Sequence, residues 1–349
     1  WNKGLIYEDE RINNFCSGCQ TTLADSEIEY KDLPSFFNEV IFTVKETKEK
    51  IIIGTTRPEL IATCGMIIFN PEDKRYRHLN GKTAITPVYN REVPIKAHAL
   101  AEIEKCTGLV MMFSAGYLSD ILFFREMNID PIIAIEKEGT MNHHAGMLRG
   151  LKVQEAREKI IEILKEKKLL VTQKKVLHRT PICERSKDHI EFIAMKEFYL
   201  KQVEYKQEMK KLTDKITFYA PQSKHLLLDW IDSISIDWPS SRRRFYATEI
   251  PLWYCDSCNE PVLPKKGKYH QPWKENAPVS SCSKCKSKKF RGETRVFDTW
   301  FDSSHSPLYI LKYAQDQTFF KKNMLCSLRP QGKEIVRTWL YYTLLKCYL

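Results

Sequence analysis

Ile51-Ile52-Ile53-Gly54-Thr55-Thr56-Arg57-Pro58-Glu59 is the stretch from which the rest of the chain can be read. Its β-branched run predicts a strand. The strand ends in a proline-stiffened turn that carries two hydroxyls and a permanent cation, the makings of a rigid polar wall. Further on come a Thr107-Gly108 turn, an apolar run over 109–113, and a Gly116-x-x-Ser119-Asp120 segment that opens a predicted helix. Short apolar runs at 40–44, 66–69 and 132–135, bounded by Asn70-Pro71, Asn80-Gly81 and Pro87, predict further strands and a β-rich unit. Over 151–169, Val153, Ala156, Ile160, Ile163 and Leu164 form one stripe among Lys and Glu, so an amphipathic helix closes that unit.

The order of these features, a strand ending in TTRPE, then TG-x-V, then a loop aspartate about sixty residues on, resembles the editing domain of class I aminoacyl-tRNA synthetases for branched aliphatic amino acids. The TTRPE wording is similar to the valyl branch. The resemblance implies that Thr55, Thr56, Arg57, Glu59 and Asp120 form the hydrolytic set, with Asp120 gripping the α-ammonium of an amino acid esterified to a tRNA 3′ end. An aminoacyl ester is already activated, so an oriented water suffices and no serine or cysteine nucleophile is needed. Tyr117 stands where the family often has a second acid, and Met111 where a lysine is frequent. Both departures bear on whether the pocket is active.

Cys255-Asp256-Ser257-Cys258 and Cys282-Ser283-Lys284-Cys285 are two C-x-x-C turns flanking a Lys- and Pro-rich span. This spacing suits one four-thiolate structural zinc. Cys16-Ser17-Gly18-Cys19 is a third such turn. The resemblance pairs it with Cys183, but Ser186 occupies the place of a fourth thiolate, leaving His178 or His189 as substitutes. Eleven cysteines in this pattern indicate metal ligands and buried thiols, not a disulfide framework.

Trp238-Pro239-Ser240-Ser241-Arg242-Arg243-Arg244-Phe245-Tyr246 resembles a basic string of the same family. Arg242, Arg243 and Arg244 are thereby implied in tRNA or nucleotide contact. The strings Asp298-Thr299-Trp300-Phe301-Asp302-Ser303-Ser304 and Arg329-Pro330-Gln331-Gly332-Lys333-Glu334-Ile335 match the second half of its catalytic domain. They imply a valine pocket from Trp300, Asp302, Ile335 and Trp339. The ATP-handling HIGH- and KMSKS-type strings do not occur in these residues, and His143-His144-Ala145-Gly146, within the editing region, is no substitute.

The expected fold is therefore α/β: a β-rich editing domain inserted in a Rossmann-type catalytic domain, with zinc-knuckle and zinc-ribbon insertions. The divisions expected are a knuckle connector at 1–30, the editing domain at 31–178, and a return connector with the start of the second half of the catalytic domain at 179–254. A zinc ribbon at 255–295 and part of the catalytic half at 296–349 complete the chain. Its start at Trp1 and its end inside an aromatic pattern suggest a piece of a longer protein.

The 349 residues carry a net charge of +11, with 43% hydrophobic and 28% charged residues. This balance fits a globular chain with a polyanionic partner, although a solvated lysine-rich surface would give the same charge. No apolar run approaches the length of a membrane span, so a cytoplasmic protein is expected. Its expected partners are tRNA(Val), valine and threonine, with structural Zn2+. ATP and Mg2+ would serve the full-length enzyme, and this chain alone is expected to edit and not to activate valine. The alternatives are an isoleucyl or leucyl relative, and a non-catalytic tRNA-binding zinc-ribbon module.

Overall fold

The computed structural model describes residues 1–244 and 248–349, so Phe245 and Tyr246 of the basic string lie outside the described residues. Two compact units emerge. The first comprises Trp1–Glu10, Thr21–Ser26 and Lys196–Leu349, and the second Arg11–Gln20 and Glu27–Met195.

The second unit is built on a seven-stranded sheet. Its long central strand, Ile28–Val44, pairs antiparallel with Lys50–Thr55 over Asn38 to Thr43. Its N-terminal stretch pairs with Leu170–Cys183, from Ile28 opposite Cys183 to Val40 opposite Leu170. Thr83–Ile85, Glu92–Ala97, Cys64–Phe69 and Leu109–Phe113 follow in that order across the sheet, and only Cys64–Phe69 and Glu92–Ala97 run parallel. Val40, Phe42, Ile53, Ile67, Ile95 and Leu109 alternate into one core and are buried, the period-two pattern of a covered sheet face.

The helix Val153–Glu166 covers this core with Ala156, Ile160 and Leu164. Ile161 is also buried in that helix and Ile163 only half-buried, so the expected stripe holds at Ala156, Ile160 and Leu164 and gives way at Ile163. The run at 132–135 is not a strand. Ala134 and Ile135 fill the core from a loop that makes a bridge from Ile135 to Met141 and is held by Asn142, which donates to the Ala134 and Ile133 carbonyls at 2.8 Å. The unit also extends past the boundary expected at 178, because Arg179 to Cys183 continue the ladder with Ile28 to Asp32.

In the first unit, the helices Lys206–Asp214, Pro221–Ser233 and Tyr341–Tyr348 pack Met209, Leu227, Ile231 and Leu345 around Trp238. The Trp238 ring stacks on Tyr342 at 3.7 Å between centroids. The cysteine-rich insertion folds as three short antiparallel strands: Pro261–Val262, Trp253–Cys255 and Phe290–Gly292. Beyond Phe297 the described residues are helical or irregular and contain no strand. No helix among the described residues is long and apolar enough to cross a membrane.

Candidate functional site

The strand Lys50–Thr55 delivers the TTRPE turn to the edge of a solvent-open cleft of about 520 Å³. Its lining includes Thr56, Arg57, Tyr117, Arg157, His178 and Glu191. Pro58 sits at the first position of a 3-10 turn, Pro58–Thr63, where its missing N–H costs nothing. That turn is wholly buried and anchors the wall from behind.

Arg57 is only 8% exposed, and three of its five N–H groups are committed. Its Nε donates to Glu59 Oε1 at 3.0 Å, Nη1 to the Gly116 carbonyl at 3.3 Å, and Nη2 to Glu191 Oε2 at 2.7 Å. Glu59, fully buried, accepts again from Arg157 at 2.8 and 3.0 Å. Two buried carboxylates thus face two guanidiniums, and the network is neutral as a whole. Burial alone would raise the Glu59 carboxyl, but Arg157 and Arg57 hold it below the usual carboxylate range. Burial alone would lower the Arg57 cation, and Glu191 and Glu59 more than reverse that. Arg57 is therefore a structural tie across the cleft wall, fixed in position by its partners.

A second chain of contacts runs along the opening. Thr56 Oγ1 lies 3.0 Å from Tyr117 Oη, which lies 3.2 Å from His178 Nε2, and His178 Nδ1 lies 3.0 Å from Thr180 Oγ1. Burial, then Arg157 and Arg57, depress the His178 imidazole below its ordinary value, so it is neutral at physiological pH. Burial raises the Tyr117 phenol and keeps it protonated.

Asp120 is brought close to the TTRPE turn but does not line the cleft. It is 4% exposed at the third position of the helix Leu118–Glu126, and its Oδ2 accepts from the Tyr117 N–H at 2.9 Å. Burial pushes its carboxyl up to about 7, against the opposing pull of the Tyr117 N–H, Arg57 and the Gly116 N–H. A Cβ on Gly116 would lie 1.7 Å from Phe113 Cε2 and 3.0 Å from Asp120 Oδ2, so it is chiefly the Phe113 ring packed on this turn that requires glycine. Thr55 is buried and its hydroxyl accepts from the Arg57 N–H at 3.0 Å. Met111 is buried in the sheet core, away from the cleft lining.

The sulfurs of Cys255, Cys258, Cys282 and Cys285 all lie within 4.8 Å of one another, with Cys255 to Cys285 at 3.4 Å and Cys258 to Cys282 at 3.5 Å. A tetrahedral zinc with bonds of about 2.3 Å needs sulfurs about 3.8 Å apart. Cys16, Cys19 and Cys183 form a second group, with Ser186 Oγ 3.0 Å from Cys16 Sγ. Neither histidine considered as a fourth ligand joins it among the described residues. His178 is engaged by Tyr117, and His189 lines the cleft.

The basic string is divided in its fates. Arg242 is 3% exposed and donates to Asp298 Oδ2 at 2.7 Å and to the Pro239 and Ser241 carbonyls, so its charge is used inside the unit. Arg243 pairs with buried Glu197 and donates to the Lys196 carbonyl at 2.8 Å. Arg244 is half-buried. Asp298 also caps the helix Thr299–Ser303 through the Trp300 N–H at 3.0 Å. Trp339 reaches the same helix, donating to the Ser303 carbonyl at 3.1 Å, with Arg329 stacked 3.7 Å over its ring. Ile335 is half-buried and Asp302 exposed.

Arg157, Glu191 and the engagement of His178 with Tyr117 were missed in the sequence. Only Tyr117 carried a signal, as a departure from the family pattern.

A family model described as tRNA synthetases class I (I, L, M and V) matches residues 1–348. Valine–tRNA ligase of Aeropyrum pernix is 44% identical over 99% of this chain and 42% of its own length. The Pyrobaculum aerophilum protein of the same name is 44% identical over 100% of this chain and 44% of its own, and that of Nanoarchaeum equitans 46% over 100% and 46%. The chain thus spans less than half the length of these curated relatives. With the family model matched from Trp1 to Tyr348 and relatives this similar along the whole sequence, the chain belongs to the class I tRNA synthetases of the I, L, M and V group.

Proposed function

We propose that this chain is part of a valine–tRNA ligase and that its second unit removes wrongly attached threonine from tRNA(Val). The observation that carries this reading is the TTRPE wall on an open polar cleft, in a chain 44–46% identical to proteins named valine–tRNA ligase. The need for such a site follows from the limits of selection. A pocket shaped for valine rejects threonine only weakly, because a hydroxyl replaces a methyl at nearly equal volume, and the valyl enzyme is itself the standard example of that limit. Hydrolysis at a second site that accepts the hydroxyl restores accuracy.

In this reading water attacks the ester carbonyl carbon and the bond to the ribose oxygen breaks. The Arg57–Glu59–Arg157–Glu191 network holds the wall rigid, and Thr56 contacts the aminoacyl group. Asp120 acts by holding the Gly116–Tyr117 turn, the role its hydrogen bond to the Tyr117 N–H supports. Ligation of valine with ATP and Mg2+ is assigned to the longer protein, with Trp300, Ile335 and Trp339 offered to the valine side chain. Arg243 and Arg244 are offered to the tRNA.

Structural Zn2+ is assigned to Cys255, Cys258, Cys282 and Cys285, whose all-sulfur donor set and spacing fit a closed tetrahedral site. Cys16, Cys19 and Cys183 offer three thiolates for a second ion.

The test is to incubate the chain with threonyl-tRNA(Val) and follow release of threonine. Release faster than in buffer, with valyl-tRNA(Val) spared, supports the reading. Salt-sensitive binding of the tRNA without turnover would instead favour a non-catalytic tRNA-binding module.

A further inference from the structure

Thr180 Oγ1 has one hydrogen, and of its two partners the His178 carbonyl, 3.0 Å away, is the one that can only accept it. The same oxygen lies 3.0 Å from His178 Nδ1 and can then only accept, which places the imidazole proton on Nδ1. His178 Nε2 is left as an acceptor, and the Tyr117 hydroxyl 3.2 Å away donates to it. With its single proton used, Tyr117 Oη accepts from Thr56, 3.0 Å away. Every hydroxyl in the chain points the same way, and Thr56 Oγ1 is left with lone pairs only.

We propose that Tyr117 and His178 are positioning residues that fix the Thr56 oxygen as a pure hydrogen-bond acceptor in the cleft. The cleft then selects an aminoacyl group presenting an N–H or O–H donor at that point, such as an ammonium or a side-chain hydroxyl. The inference rests on the hydrolytic reading for the class of its ligand, while the direction of the hydrogen bonds follows from giving the Thr180 hydrogen to the His178 carbonyl, a partner that can only accept. It also gives Tyr117 a use: the residue that departs from the family pattern is the one that passes the polarity of His178 to Thr56.

Two measurements on the 349-residue chain test it. Nitrogen-15 NMR of the histidines should show His178 as the Nδ1–H tautomer with a bare Nε2, and Tyr117→Phe should move that Nε2 resonance. An Nε2–H tautomer overturns the proposal. The second measurement is the Kd of an amide-linked threonyl-adenosine, which cannot be hydrolysed as an ester is. Tyr117→Phe should weaken it by about five- to tenfold, the worth of one oriented hydrogen bond, and leave the Kd of adenosine unchanged. An unmoved Kd, or no binding of the probe by the unaltered chain, overturns it. A shifted Kd in a chain that leaves threonyl-tRNA(Val) intact would sink the hydrolytic reading and keep this one. Normal hydrolysis with an unmoved Kd would do the reverse.

Discussion

Arg57 and Glu191 meet at 2.7 Å although 134 positions separate them, and both side chains are at most 10% exposed. The pair ties the TTRPE turn to the strand Ile190–Leu200, and it decides how firmly the cleft wall is held. Removing one partner of a buried pair leaves the other charge incompletely compensated. Glu191→Gln should therefore destabilise the chain by about 2 kcal/mol, less than a fully orphaned charge because Glu59, shared with Arg157, still faces Arg57. Urea unfolding measures this, and an unchanged midpoint would show that the contact contributes nothing.

Asp120 gives a pH signature. Burial raises its carboxyl from 3.8 to about 7 in the folded chain, so the folded state holds the proton more tightly than the unfolded one. The sign follows from linkage: the stability contribution is complete below the unfolded value near 3.8 and is lost as pH rises through about 7. Asp120→Asn, which can still accept from the Tyr117 N–H, should become more stable relative to the unaltered chain as pH climbs through that window. Thermal melts of both proteins from pH 4 to pH 8 measure the difference, and a constant gap would mean that Asp120 ionises as an ordinary carboxyl.

The cysteine groups predict a metal count. Zinc analysis of the purified chain should find two ions, falling to one in Cys19→Ala and to one in Cys258→Ser. Chelation should expose the lysine-rich span between Cys258 and Cys282 to trypsin, because a closed thiolate site supplies much of a small insertion's folding energy. A count of one that Cys19→Ala leaves unchanged would mean that the Cys16 group stays empty.

The backbone of Gly292 predicts a rigid point in the same insertion. A Cβ there would lie 1.9 Å from the Pro272 carbonyl oxygen and 2.7 Å from the Trp273 nitrogen, and main chain cannot move aside as a side-chain tip can. Gly292→Ala should cost about 2 kcal/mol or more of stability, the scale of overpacking. A melt unchanged from the unaltered chain would contradict that packing.

The parts of the fold legible in the sequence were those where burial and hydrogen bonding reinforce each other. Ile51 and Ile53, the 66–69 run and most of the 109–113 run are apolar because they lie against a covered sheet face, and they are in strands; Ile52, between the first two, is exposed. The ribbon of Ile28–Val44 and Leu170–Cys183 was harder to read. Much of its length is half-buried or exposed, with Glu29, Lys31 and Asp32 in the first strand and Lys174 and Lys175 in the second. The 132–135 run shows the converse: apolar residues entered the core without a ladder to form.

The site divides in the same way. Thr56 and Arg57 announce themselves through a compact local string. Glu191, Arg157 and His178 are ordinary residues of two strands and a helix, and only long-range pairing brings them to that string. Asp120 was legible as a helix-opening acid, but its buried aim is set by the Tyr117 N–H that it accepts from at the start of that helix.

The central claim is that the cleft beside Thr56 is where an aminoacyl ester is cleaved. Its most direct test is the rate of threonine release from threonyl-tRNA(Val) by the unaltered chain and by Thr56→Val, which keeps the side-chain shape and removes the hydroxyl. The account predicts release above the buffer rate that falls about tenfold or more in the variant. Equal rates for the two proteins, or an ester as long-lived as in buffer alone, would contradict it.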